Sequence, residues 1–394
     1  MLDADGSLFS GSDKGMPWTN LSIQCKISRN EDRVVAGHLS LGDSRSLALS
    51  ACAVFDGHNG SSTALFCRQN FFSELMRWFP ERPLPPENDV LSFQAHLFDI
   101  RKALTRTFYE LDQRSLKAGY TSGCTASAIV VTGWLVTVAN VGDSDVLIQT
   151  PREHRVVTQN HRLGADAKEL QRLETEGAQV ARLSSLLRGP AALGDTGVGS
   201  VRIWPGGLAL SRAIGDAALK QHVVAAPHIT QLRIPFAGAR FIAATNGVWD
   251  NIQLKKVSSI LCSHPLKRSA LEVVRNAIPS HGNLDDASAV LIDVLPRDVE
   301  DFSEVAPKGL KRLSLLSSCC LTSKQKVEDG DSRAEMQVLW QGDMIEVLPK
   351  IAEESAVSQQ RELDRGQHEL RRQACKGQCL PPTPEILEIT SSRA

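Results

Sequence analysis

Apolar residues along the chain fall into two rhythms. LALSACAVF (Leu47 to Phe55) and CTASAIVVTGWLVTVANVG (Cys124 to Gly142) are apolar runs bounded by turn formers, and they predict strands. The second is long enough for a hairpin turning near Thr132-Gly133, and SDVLIQT behind it continues the meander. ASAVLIDVL predicts a late strand that closes the region. Helical spacing of apolar residues appears over Ser61 to Phe79, Val90 to Ala118, Ala165 to Glu176, Leu254 to Ser263 and Leu266 to Ile278. Hairpin strands with helices in separate blocks predict an α+β fold rather than a doubly wound parallel sheet. Gly and Pro between Arg182 and Gly207 predict a long mobile loop.

After Pro296 the rhythm stops. GLKRLSLLSSCCLTSKQK is basic and Ser-rich, and acidic and Gln-rich stretches follow it. The patterned region therefore spans 22–296, with an N-terminal extension over 1–21 and a polar, partly disordered tail over 297–394. A short helix is expected in that tail around Met336 to Ala356. Gly309 to Lys326 reads more readily as a solvated, phosphorylatable linker than as a segment docking on a partner or a lipid surface.

Composition narrows the setting. The chain has 394 residues and a formal net charge of −1, with both signs interspersed, so no basic field favours nucleic acid or an anionic membrane. There is no apolar run of about 18 residues and no secretory leader, and Leu2 stands where myristoylation needs glycine. Nine cysteines are scattered, mostly in apolar segments, which points to a reducing, intracellular setting, cytoplasmic or nuclear. Cys375 and Cys379 in CKGQC lack the second pair that a zinc site needs.

Acidic residues recur where strands end. RNED carries Glu31 and Asp32, VFDGHNG carries Asp56, VGDSD carries Asp143, AIGD carries Asp216, GVWD carries Asp250, and NLDDAS carries Asp285 and Asp286. Taken singly, each reads as a turn residue. Taken together on one sheet rim they suit a hard divalent cation, Mg²⁺ or Mn²⁺ in preference to zinc.

The ordered series of Glu-Asp, VFDGHNG, GDS, LSRAIGD, NGVWD and Asp-Asp resembles the type 2C metal-dependent Ser/Thr protein phosphatases, over roughly 22–296. WPGGLALSRAIGD is similar to a plant-type branch of them. The resemblance implies a four-layer α-β-β-α sandwich, with two Mg²⁺ or Mn²⁺ ions and a weaker third at one end of two antiparallel sheets. It implies that Asp56 bridges both metals, that Gly57 offers its carbonyl to one, and that Glu31 and Asp32 hold water on them. Asp285 matches a ligand of the other metal, Asp143 and Asp250 match holders of the third, and His58 matches the general acid. The implied partner is a phosphoprotein substrate, and a monomer is expected.

The chain departs from this pattern in three places. The metal ligand before GVWD is an aspartate in the family, and here it is Asn246, which offers a neutral carbonyl oxygen instead of a charge. Many members carry an Arg shortly before the acidic pair, where this chain has Ile27, so Lys26 or Arg29 would have to stand in. Asp145 replaces the usual Arg in GDSD and is expected to be structural. Two readings follow: a metal-dependent phosphatase weakened at Asn246, or a weak or inactive pseudophosphatase that binds phosphoproteins or scaffolds partners.

Overall fold

The computed structural model describes residues 15–41, 47–192, 194–278, 285–306 and 346–347. Two antiparallel sheets carry the molecule. One runs β1 (Trp18–Lys26), β15 (Ala287–Leu295), β14 (Ala239–Ala244), β8 (Val146–Gln149), β9 (His154–Val156). The other runs β16 (Glu346–Val347), β13 (His228–Arg233), β7 (Leu135–Val141), β6 (Ala126–Thr132), β3 (Leu47–Phe55), β2 (Arg33–Leu41). Three short segments, β12 (Ile214–Gly215), β5 (Gly123–Cys124) and β4 (Gly57–His58), form a small third sheet, and β10 (Gln179–Leu183) pairs with β11 (Val198–Trp204).

Strand alternation builds the layers. Val290, Ile292 and Val294 of β15 join Val54, Ile129, Val136 and Val138 in a core between the two large sheets. The alternate residues Ala289 and Leu291 pack outward against α5 (Leu254–Ser263) and α6 (Leu266–Ala277) through Val257, Leu261, Leu266 and Val273. On the far side Phe55, Ala128 and Val130 meet α1 (Ser62–Trp78) and α2 (Val90–Lys117) through Phe71, Leu75, Ile100 and Leu104. The order is helix, sheet, sheet, helix: an α+β sandwich with each sheet buried on both faces. Smaller helices are α3 (Ala167–Thr175), α4 (Asn246–Trp249) and α7 (Phe302–Val305).

Several details differ from the sequence reading. Gly133, at φ 58, turns the expected hairpin, but β8 does not extend that meander. It crosses to the other sheet and pairs with β14 and β9, placing Ile148 in the central core. The segment from Arg182 to Gly207 is no structureless loop. It contains most of the β10–β11 hairpin, anchored by Val180, Val201 and Ile203 on Leu163, Leu173 and Leu219, and its glycines concentrate at the tip. The sandwich also reaches past both ends of 22–296. Trp18 begins β1 and donates from Nε1 to the carbonyls of Pro296 and Val299, and Phe302 of α7 is fully buried. The tail helix expected around 336–356 lies outside the described residues, except for Glu346–Val347, which pair with β13 as an edge strand.

Candidate metal and phosphoester site

The site is assembled from turns at one end of the two sheets. Glu31 and Asp32 occupy the β1–β2 turn, which a single carboxylate organises. Asp286 accepts from the backbone N–H groups of Ser28, Arg29, Asn30, Glu31 and Asp32 at 2.5–3.2 Å. Burial would raise the Asp286 pKa, but these donors hold it below the usual carboxylate range. Asp286 is thus the scaffold of the acidic pair, a role that its place in the Asp-Asp motif does not reveal. Glu31 Oε1 accepts from the Gly60 N–H at 2.7 Å, and Asp32 Oδ2 accepts from Thr245 Oγ1 at 2.9 Å.

Asp56 follows β3 directly, and its carboxylate is buried. Its Oδ2 accepts from the backbone N–H of Asn246 at 3.3 Å. Gly57 lies so close to the acidic pair that a Cβ there would stand 2.5 Å from the Glu31 carbonyl oxygen. The same constraint applies at Gly247, where a Cβ would meet the Asp286 carbonyl oxygen at 1.9 Å. The two glycines let the β3–β4 and β14–α4 turns close on the RNED turn and its Asp286 scaffold.

The electrostatics follow from this crowding. Burial, then the neighbouring charges of Asp32, Asp143 and Asp285, push the Asp56 carboxyl well above its ordinary value. Burial pushes Asp32 up to about 7, against the Thr245 hydroxyl that favours its ionised form. The structure therefore brings Asp32, Asp56, Asp143 and Asp285 within mutual influence. Asp285 sits at the exposed margin, 3.5 Å from the Arg29 guanidinium, which places Arg29 on this rim while Ile27 points to solvent.

Asp143 and Asp250 are joined by a residue that the sequence reading passed over. Arg162 donates from Nε to Asp143 Oδ2 at 2.6 Å and from both terminal nitrogens to Asp250 at 2.9 and 2.7 Å. The Asp250 hydrogen bonds, offset in part by burial, hold the Arg162 pKa above its ordinary value. Asp143 Oδ1 is buried without a hydrogen-bond partner. Asp145 accepts from Thr158 Oγ1 at 2.7 Å.

These residues open on a cleft of about 550 Å³ lined by Asp56, His58, Asp143, Arg162, Asn246 and Asp250, with Arg182 and Arg202 of the β10–β11 hairpin on its wall. His58, in β4, places Nε2 2.9 Å from both carboxylate oxygens of Asp216, a second partner that was not assigned from sequence. LSRAIGD was a visible signal for Asp216; nothing in NHRLG marks Arg162.

A model of the family described as protein phosphatase 2C matches residues 23–288. The chain belongs to the protein phosphatase 2C family. It is 31% identical over 297 residues to probable protein phosphatase 2C 3 of Oryza sativa subsp. japonica, covering 75% of this chain and 57% of that protein. It is likewise 31% identical over 301 residues to probable protein phosphatase 2C 12 of Arabidopsis thaliana, covering 76% of this chain and 65% of that one. The chain thus spans less than two thirds of these plant relatives. The serine-threonine phosphatase 2C of Toxoplasma gondii shares the fold at a TM-score of 0.54 and 19% identity, covering 71% of this chain and 97% of that one.

Membership of the family implies dependence on a divalent metal, and the donor set fits one. Asp32 and Asp56 are buried carboxylates that the described side chains do not neutralise, and Asp143 keeps a buried oxygen unpaired. All are hard oxygen donors suited to Mg²⁺ or Mn²⁺. Among the described residues no three Asp, Glu, His or Cys side chains are grouped so as to hold a metal ion by themselves, so carbonyls and water would have to supply much of the coordination. No helix among the described residues is long and apolar enough to cross a membrane.

Proposed function

We propose that this chain is a metal-dependent protein serine/threonine phosphatase that hydrolyses phosphoserine and phosphothreonine esters of protein substrates. The observation that carries this reading is Asp56, buried under the charges of Asp32, Asp143 and Asp285 and lining one cleft with His58 and Asp143. Two bound Mg²⁺ or Mn²⁺ ions, with a weaker third, would neutralise the phosphoryl oxygens and lower the pKa of a water for in-line attack.

The chain's own residues do the rest. Asp56, with the Gly57 carbonyl and Asp285, would hold the cations. Glu31 and Asp32 would accept hydrogen bonds from water and orient it. Asp143 and Asp250 would hold a third ion, in competition with Arg162. His58 gives a proton to the leaving serine or threonine oxygen, whose alkoxide is otherwise a poor leaving group. Arg162, Arg182 and Arg202 give the cleft wall positive charge suited to an anionic substrate. The five free cysteines among the described residues support a reducing setting, cytoplasm or nucleus, and the chain is proposed to act as a monomer.

Asn246 favours a second reading. Its side chain lines the cleft, but it brings a neutral amide where family members carry a carboxylate, and its backbone N–H already engages Asp56. Weakened metal binding follows, and at the limit a pseudophosphatase that holds phosphoproteins without turnover. The deciding experiment is a Mn²⁺ titration of p-nitrophenyl phosphate hydrolysis by wild type, Asn246→Asp and Asp56→Ala. The phosphatase reading expects wild type above the Asp56→Ala background, with a metal requirement that Asn246→Asp relieves. Wild type equal to Asp56→Ala at saturating Mn²⁺ would leave the pseudophosphatase.

A further inference from the structure

A proton donor must present a chosen nitrogen to the leaving oxygen, and the small third sheet supplies the means. Its three segments lie side by side in the order β12, β5, β4, and His58 belongs to β4. Asp216 directly follows β12, and both its oxygens stand 2.9 Å from His58 Nε2. Its backbone is left-handed at φ 55, a conformation that Asp tolerates better than most residues, and its N–H donates to the Ser122 carbonyl at 3.3 Å. The carboxylate is almost fully buried, while the imidazole is partly open to the cleft.

Gly123 of β5 makes room for the pair. A Cβ there would stand 2.2 Å from Asp216 Oδ2 and 2.4 Å from His58 Nε2. Three strand ends, a left-handed residue and a glycine therefore converge on one hydrogen bond that the metal ligands do not use.

We propose that Asp216 is a positioning residue for His58: it accepts the Nε2–H, fixes the ring, and leaves Nδ1 to deliver the proton. This rests on the reading of His58 as the proton donor. As water oxygen forms its bond to phosphorus, the bond from phosphorus to the serine or threonine oxygen breaks and that oxygen keeps the electron pair. The Nδ1 proton passes to this oxygen. Neutral imidazole remains, its Nε2–H still held by Asp216, and Nδ1 is reprotonated from solvent.

The test uses leaving groups. Proton donation matters for a phosphothreonine peptide, whose leaving alkoxide is strongly basic, and little for p-nitrophenyl phosphate, whose leaving phenolate is stable. Asp216→Asn, whose amide still tolerates the left-handed backbone, is expected to lower kcat on the phosphopeptide by about 10–100-fold, a part of the roughly 100–10,000-fold that a general acid supplies. Its effect on p-nitrophenyl phosphate is expected to be several-fold smaller. Gly123→Ala, which pushes the pair apart from a different residue, is expected to reproduce the pattern if Asp216→Asn folds poorly. His58→Gln is expected to show it too, and the His58→Gln/Asp216→Asn double variant to lose no more than His58→Gln alone. Equal losses on both substrates in Asp216→Asn and Gly123→Ala would make Asp216 merely structural and overturn the proposal. If His58→Gln discriminates between substrates and Asp216→Asn and Gly123→Ala do not, the Asp216 inference fails alone. If His58→Gln does not discriminate, the proton-donor reading fails and takes the inference with it.

Discussion

Strands β14 and β15 lie side by side, and their two ends treat buried carboxylates in opposite ways. At one end Arg240 pairs with Asp293, with contacts of 2.6 and 2.7 Å, and reaches Asp301 at 3.1 Å. Its remaining donors go to the carbonyls of Leu261 and His264 and to Ser269 Oγ. Burial alone would lower the Arg240 pKa, yet the Asp293 carboxylate holds it above the ordinary value. At the other end, beyond Ala244 and before Ala287, Asp32 and Asp56 lie buried among other acids. Both ends bury charge. The first gives its buried carboxylate a cation, whereas at the second Arg162 and Arg29 reach Asp143, Asp250 and Asp285, and no Lys or Arg pairs with Asp32 or Asp56 among the described residues. A buried charge without a partner is a cost that folding alone would select against, and this is the ground on which that end is proposed as the site.

The largest expected effect breaks the paired end. Arg240→Leu strands Asp293 and Asp301, and is expected to cost about 3–5 kcal/mol in urea unfolding. The kcat of the folded fraction should be untouched; a loss under about 1 kcal/mol would mean that the pair is dispensable. Next, at the site end, Asn246→Asp restores a ligand charge and should lower the Mn²⁺ concentration for half-maximal activity by about 10–100-fold. An unchanged requirement would remove Asn246 from the metal's surroundings.

Asp56→Asn deletes an unpaired buried charge. Without added metal it should stabilise the domain by about 1–2 kcal/mol while abolishing turnover, the opposite sign to Arg240→Leu. Destabilisation in urea would show that the two ends are alike.

The contrast also carries a pH dependence. Asp32 is raised from 3.8 to about 7 in the folded chain, so the folded state keeps a proton that the unfolded state has released. Its contribution to stability is fully present below pH 3.8 and is lost as pH rises through about 7. Metal-free thermal midpoints of wild type minus Asp32→Asn should fall across that window, and added Mn²⁺ should flatten the fall. A difference independent of pH would contradict the shift.

Sheets and helices were legible because burial imposes periods on sequence, as Val290, Ile292 and Val294 alternate with Ala289 and Leu291. The β10–β11 hairpin was not, since the glycines at its tip mask Val180, Val201 and Ile203. The acids at strand ends were legible as a set. Their partners were not, because they act across the chain: 158 positions separate His58 from Asp216, and 88 separate Arg162 from Asp250. Asp286 likewise organises a turn 254–258 positions away through backbone donors, which leave no mark on residue type.

The most direct test of the contrast is the urea midpoint at neutral pH against Mn²⁺ concentration, for wild type and Asp56→Asn. Ligand that binds only the folded state raises stability with the logarithm of its concentration once above its Kd. The wild-type midpoint should climb with added Mn²⁺ and the Asp56→Asn midpoint should stay nearly level. A wild-type midpoint indifferent to Mn²⁺, or an equal climb in both, would contradict a metal centre built around Asp56.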